Sequence, residues 1–115
     1  MANGIVISPE GTVTNFSGDG LKPLQEAVGG YIELVAINQK VSMYINEEGK
    51  FSEAAYNPIA TAIAKSNNAI FEDDYIVGNA VFVGGVDENG DDKDLVTSDI
   101  QSLLVRMYEA NLNKK

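Results

Sequence analysis

Cysteine and histidine are both missing from this chain, and Arg106 is its single arginine. Without thiols there is no disulfide, no thiolate nucleophile and no cysteine-based zinc site, although the redox compartment stays open. Without imidazole the commonest general acid/base, the commonest metal ligand and every Ser-His or Cys-His pair are gone. Only Asp, Glu, Lys or Tyr can move a proton here. Long apolar runs are missing too, since nothing approaches the roughly 20 residues that span a bilayer. Met1-Ala2-Asn3-Gly4 carries no basic side chain and leads into only Ile5 to Ile7, unlike a secretory signal. The expectation is a cytoplasmic protein with no membrane partner.

Positive charge is scarce: 8 Lys plus Arg stand against 17 Asp plus Glu, a formal net charge of -9. Such a field repels phosphate backbones at long range, so direct nucleic-acid binding is not expected, whereas a basic partner would be attracted. Solubility explains the excess acid most simply. The sharper alternative is an acidic mimic of nucleic acid that occupies a basic groove.

What is present suffices for one core. At 115 residues folding buries roughly two thirds of the extended chain's surface, so residues 1–115 are read as a single compact domain. Ile5-Val6-Ile7 and Thr12 to Phe16 flank the turn Ser8-Pro9-Glu10-Gly11 and form a hairpin. Leu21, Leu24, Gln25 and Val28 fall at helical spacing, with Gly29 placed to end the helix in a left-handed conformation. Tyr31 to Ile37 and Val41 to Ile45 form a second hairpin around Asn38-Gln39-Lys40. Both faces of its first strand carry apolar groups, which places that strand centrally in the sheet.

Asn57-Pro58 reads as an N-cap followed by proline at the first helical position, with Ile59, Ala60, Ile63 and Ala64 as the apolar stripe and Asn67-Asn68 as the stop. Tyr75 to Val83 reads as one long strand before an acidic turn at 87–94. Ser98 with Gln101 resembles a capping box that opens an amphipathic helix bearing Ile100, Leu103, Leu104, Met107, Tyr108 and Leu112. Lys114 and Lys115 close it, where the macrodipole favours cations. The fold class is α+β: a small, mostly antiparallel sheet of about five strands with two or three helices and a C-terminal amphipathic helix.

The order of four blocks resembles a family of small proteins of unknown function from phages and bacterial mobile elements. The blocks are Val28-Gly29-Gly30-Tyr31-Ile32-Glu33, Tyr44-Ile45-Asn46-Glu47-Glu48-Gly49-Lys50, Tyr56-Asn57-Pro58-Ile59-Ala60-Thr61-Ala62-Ile63, and Tyr75 to Gly84. The likeness runs from about Leu24 to Leu104. Where many relatives carry Leu-Pro before the asparagine, this chain has Ala55-Tyr56. The resemblance implies an origin, and a counter-defence or host-takeover role, without a defined chemistry.

Several groupings resemble sites of chemistry. Asp87, Asn89 and Asp91 alternate like calcium-loop ligands, but Asp92 stands where glycine is needed and Ser98 where a glutamate is needed. Gly29-Gly30 and Gly84-Gly85 lack any phosphate-loop context and are read as structural. Glu47-Glu48 beside Lys50 reads as an exposed hairpin tip. Candidate binding residues are Tyr31, Glu33, Tyr44, Asn57 and Arg106, chosen for tyrosine's amphipathic area, the amide, and the planar cationic fork set opposite the last helix's apolar stripe. Leu104, Tyr108 and Leu112 are candidates for a homo-oligomer surface. No catalytic residue, metal or cofactor is assigned. The function expected is non-enzymatic, stoichiometric binding of a host protein or a small metabolite. The alternatives are the acidic mimic, a structural homo-oligomer, and a hydrolase using Asp or Glu with a recruited metal.

Overall fold

The computed structural model describes the backbone of residues 2–112 and the side chains as far as Ala110. The elements follow as β1 (Ala2–Ile7), β2 (Val13–Gly18), α1 (Leu21–Val28), β3 (Ile32–Ala36), β4 (Val41–Asn46), α2 (Pro58–Ser66), β5 (Ala80–Gly84) and α3 (Thr97–Leu112). The strands form one antiparallel sheet in the order β2-β1-β5-β4-β3, so the α+β expectation holds.

Side-chain alternation along β5 builds two cores. Ala80 and Phe82 join Ile7, Met43 and Val41 beneath Ala60, Ile63 and Ala64 of α2 and Ile100 and Leu103 of α3. Val81 and Val83 point the other way and meet Tyr44, Phe16, and Leu24 and Val28 of α1. Helices therefore cover both faces of the sheet. All five residues of β5 are buried. Each fully buried side chain such as Phe82 or Ile63 contributes about 1.5–3 kcal/mol, so this strand anchors the stability of both layers.

Local signals set the element ends. Gly29 has φ 80° and donates its N–H to the Gln25 carbonyl at 2.8 Å, stopping α1 as expected. Asn57 caps α2 by accepting the Ala60 N–H at 3.1 Å, and Asn67 ends that helix. The Asn38 carboxamide accepts the Lys40 and Val41 N–H groups at 2.8 and 2.9 Å and shapes the β3–β4 turn. Helix α3 begins at Thr97, so Ser98 lies inside its first turn, where its carbonyl accepts the Ser102 hydroxyl at 2.9 Å. The terminal lysines and the Leu112 side chain lie outside the description. Among the described residues no helix is long and apolar enough to cross a membrane.

Two expectations are corrected. β3 lies at the edge of the sheet, and β5 takes the centre. Apolar groups on both faces of β3 arise because Val35 packs under α2 and α3 while Ile32 touches the α1 core, yet Leu34 is 47% exposed. The long strand from Tyr75 is also shorter than the sequence suggests. Gly78 turns the chain at φ 75°, and the Ile76 and Gly78 N–H groups are taken by the Thr61 hydroxyl at 2.9 Å and the Ala55 carbonyl at 2.7 Å. Those bonds replace a sheet ladder with one isolated bridge between Tyr56 and Val77.

Candidate functional site

The chain between α2 and β5 runs beside the outer edge of β3. Leu34 and Glu33 on the strand and Ile70, Phe71 and Asp74 on the facing segment line a groove of about 490 Å³. Ile70 is anchored against the core below, whereas Phe71 stands out 82% exposed. Phe51 is 89% exposed, on the turn that follows β4. A phenylalanine left in water forgoes about 1.5–3 kcal/mol of burial. Exposed rings of this kind beside a groove are candidates for contact with a partner.

A polar clasp orders this region. The Lys50 ammonium donates to the Asp74 carboxylate and sits 4.3 Å from the centre of the Tyr75 ring, a cation–π contact. Asp74 also accepts the Tyr75 N–H at 2.8 Å. Bonding from Lys50, and then from that N–H, holds the Asp74 carboxyl below its usual range, and the same pairing raises Lys50. Tyr75 in turn meets Tyr56, ring centres 6.3 Å apart and tilted by 58°. The Tyr75 and Tyr56 rings beside the groove are thus held in place by contacts within the chain.

The candidate residues do not converge. Glu33 lies in the groove. Tyr31, at the head of β3, is exposed beside a separate cleft of about 410 Å³ lined by Lys22, Gln25, Glu26 and Gly30. Tyr44 is buried beneath α1, with its hydroxyl on Asp92. Asn57 is fully buried and donates to the Ile7 and Gly78 carbonyls at 2.9 and 2.8 Å, so its amide is spent inside the fold. Arg106 lines a third cleft with Asn38, Lys40, Asp99 and Leu103 and donates to the Asn67 side-chain amide oxygen at 3.3 Å, on the side of Leu103 and not opposite it. Leu104 is half-buried against the main core, and Tyr108 is exposed. The Leu112 side chain lies outside the described residues. Phe51, Phe71 and Lys50 were not singled out as binding residues in the sequence. The signal for the two rings is a phenylalanine placed outside any strand or helix pattern, Phe51 after Gly49-Lys50 and Phe71 before Glu72-Asp73-Asp74.

The glycine pairs are used by the fold. Gly84 and Gly85 donate to the Lys93 and Lys40 carbonyls at 2.8 and 3.0 Å, and a Cβ on either would come within 2.3 Å of a backbone oxygen. Gly29 and Gly30 both donate to the Gln25 carbonyl. No N–H of either pair is left to cradle an anion. In the acidic turn the Asp87 carboxylate accepts the Asn89 and Asp91 N–H groups at 2.8 and 3.0 Å. Among the described residues no group of three or more acidic side chains is arranged to hold a metal.

Compared with protein-family models, residues 1–109 match the family described as Domain of unknown function (DUF3846), and the chain belongs to it. No curated protein and no solved structure matches.

Proposed function

We propose that this member of the family is a non-enzymatic binding protein of phage or mobile-element type, acting in the host cytoplasm by stoichiometric association with a host protein. The observation that supports the reading is the ordered Tyr56–Tyr75 pair on the Lys50–Asp74 clasp, together with the exposed rings of Phe51, next to Lys50 in the chain, and Phe71, in the groove that Asp74 lines. Aromatic rings held at low entropy cost in a polar surround are what protein contacts use for most of their affinity. A counter-defence or host-takeover role follows from the resemblance to phage-borne proteins. Excess acid makes a basic face on the partner the favoured complement.

The test is capture from bacterial lysate with the wild-type chain, a Phe51→Ser/Phe71→Ser variant and a Val13→Ser variant on the far edge of the sheet. The expected result is one host protein retained in a fixed molar ratio by wild type and by Val13→Ser, and lost by the double variant. Equal capture by all three would remove the aromatic surface from the account.

A further inference from the structure

Residues of an antiparallel pair alternate in whether their backbone groups face the partner strand. The Glu47 N–H donates to the Tyr31 carbonyl at 2.8 Å and the Ile37 N–H to the Val41 carbonyl at 3.1 Å. With the continuous register of β3 on β4, those bonds fix residues 31, 33, 35 and 37 as the ones facing inward. The N–H and C=O groups of Ile32, Leu34 and Ala36 therefore point out of the sheet, and they have no partner among the described residues. Proteins blunt such edges with lysine, proline or a bulge. Ile32-Glu33-Leu34-Val35-Ala36 has no lysine and no proline, and its register is unbroken.

This open edge forms one wall of the groove, with Ile70 and Phe71 supplying apolar contact on the other. The rim carries an excess of acid: Glu33 lines it, Asp74 lines it with its charge answered by Lys50, and Glu72 and Asp73 are exposed next to it in the chain. We propose that the free edge of β3 takes up an extended, cationic peptide segment of a partner protein as a sixth strand. This deepens the binding reading above and rests on it. Backbone bonds to Ile32, Leu34 and Ala36 supply the pairing. Alternate side chains of the added strand fall on the α2–α3 side of the sheet, where Glu33 and Ile70 lie beside Phe71, so a basic side chain there lays its stem on the apolar groups and its charge against Glu33. A second copy of the chain is disfavoured as the occupant, because it would bring another acidic rim and a further charge of -9 against the first.

The probe is a short dye-labelled peptide of alternating Lys and Val, read by fluorescence anisotropy against the full chain, with a Glu/Val peptide of equal length as charge control. Two further Lys/Val peptides carry backbone N-methyl groups, one on every Val and the other on every Lys. The Lys/Val peptide is expected to bind saturably and the Glu/Val peptide to fail. One methylated series should weaken by roughly tenfold or more while the other stays near the parent, because only one set of N–H groups faces the edge. Equal binding by both methylated peptides, or by the Glu/Val control, overturns the inference without needing any protein variant. Leu34→Pro removes an outward N–H together with the Leu34 side chain, so Leu34→Ala is its control, and only the proline variant is expected to weaken the peptide by a similar factor. If Leu34→Pro leaves host-protein capture intact while Phe51→Ser/Phe71→Ser abolishes it, the strand edge is excluded and the aromatic binding surface stands. If the peptide binds as described but wild type captures no host protein, the binding role fails and the edge chemistry stands.

Discussion

The Tyr44 hydroxyl donates to the Asp92 carboxylate across 2.7 Å, joining an inner strand of the sheet to the acidic turn 48 positions later in the chain. Tyr44 is buried on the α1 side, and burial first, then this bond and the charge of Asp92, push its phenol well above the ordinary value.

Replacing Tyr44 with Phe should cost about 1.5–3 kcal/mol, the range for a bond to a charged group, read by urea denaturation at neutral pH. The raised phenol sets a pH window. A proton held more tightly by the folded chain stabilises fully below the unfolded value of about 10 and is lost as pH rises toward the folded value. Stability should therefore fall above pH 10, and less steeply in Tyr44→Phe. An absorbance titration in which all five tyrosines ionise together while the chain stays folded would contradict this.

Asn57 accepts one bond and donates two in a fully buried position. Asn57→Ala loses a cap of about 1 kcal/mol and strands two carbonyl acceptors at about 1–3 kcal/mol each. A total loss of roughly 3–7 kcal/mol is expected from chemical denaturation. Asn57→Asp keeps the cap but sets a carboxylate against the Ile7 and Gly78 oxygens. It should be at least as unstable at pH 7 and should recover part of the loss at acid pH, once a proton restores one donor.

Gly84 and Gly29 separate two reasons for glycine. A Cβ at Gly84 would lie 2.3 Å from the Asp94 carbonyl oxygen, so both backbones must shift. Gly84→Ala should cost about 3 kcal/mol or more. At Gly29 the space is open and only the left-handed φ objects, so Gly29→Ala should cost about 1–2 kcal/mol. Equal melting temperatures for the two variants would contradict the distinction.

The Lys50–Asp74 pair is worth little by itself, because both groups are more than a third exposed. Asp74→Asn should cost under about 1 kcal/mol, less again in molar salt. With the Asp74 carboxyl held low in the folded chain, its contribution is present above the unfolded value near 4 and lost as pH falls through the folded one. The larger effect should be on partner capture, since Tyr75 loses the cation above its ring.

Features written in a few neighbouring residues were legible before any coordinates: the Ser8-to-Gly11 turn, the Gly29 stop, and the Asn57-Pro58 start of α2. Each depends on chemistry that reaches only a few positions along the chain. Strand order does not. An apolar pattern on both sides of β3 says that each side touches something, and only the pairing of β5 with β1 and β4 shows which strand lies innermost. The break at Gly78 escaped notice because the residues around it are as β-favouring as those of β5. What competes for their N–H groups is Thr61 and Ala55, on another element. The aromatic surface was hidden for the same reason, since Lys50, Tyr56 and Tyr75 meet only after folding.

The placement of β5 between two hairpins orders events during synthesis. β1 with β2, and β3 with β4, are each local units, but neither has its second neighbour until Ala80–Gly84 arrives. On the ribosome both halves must wait, unlocked, for a keystone made late. A nascent chain arrested before Ala80 is therefore expected to be cut rapidly by protease, and one released after α3 to resist it.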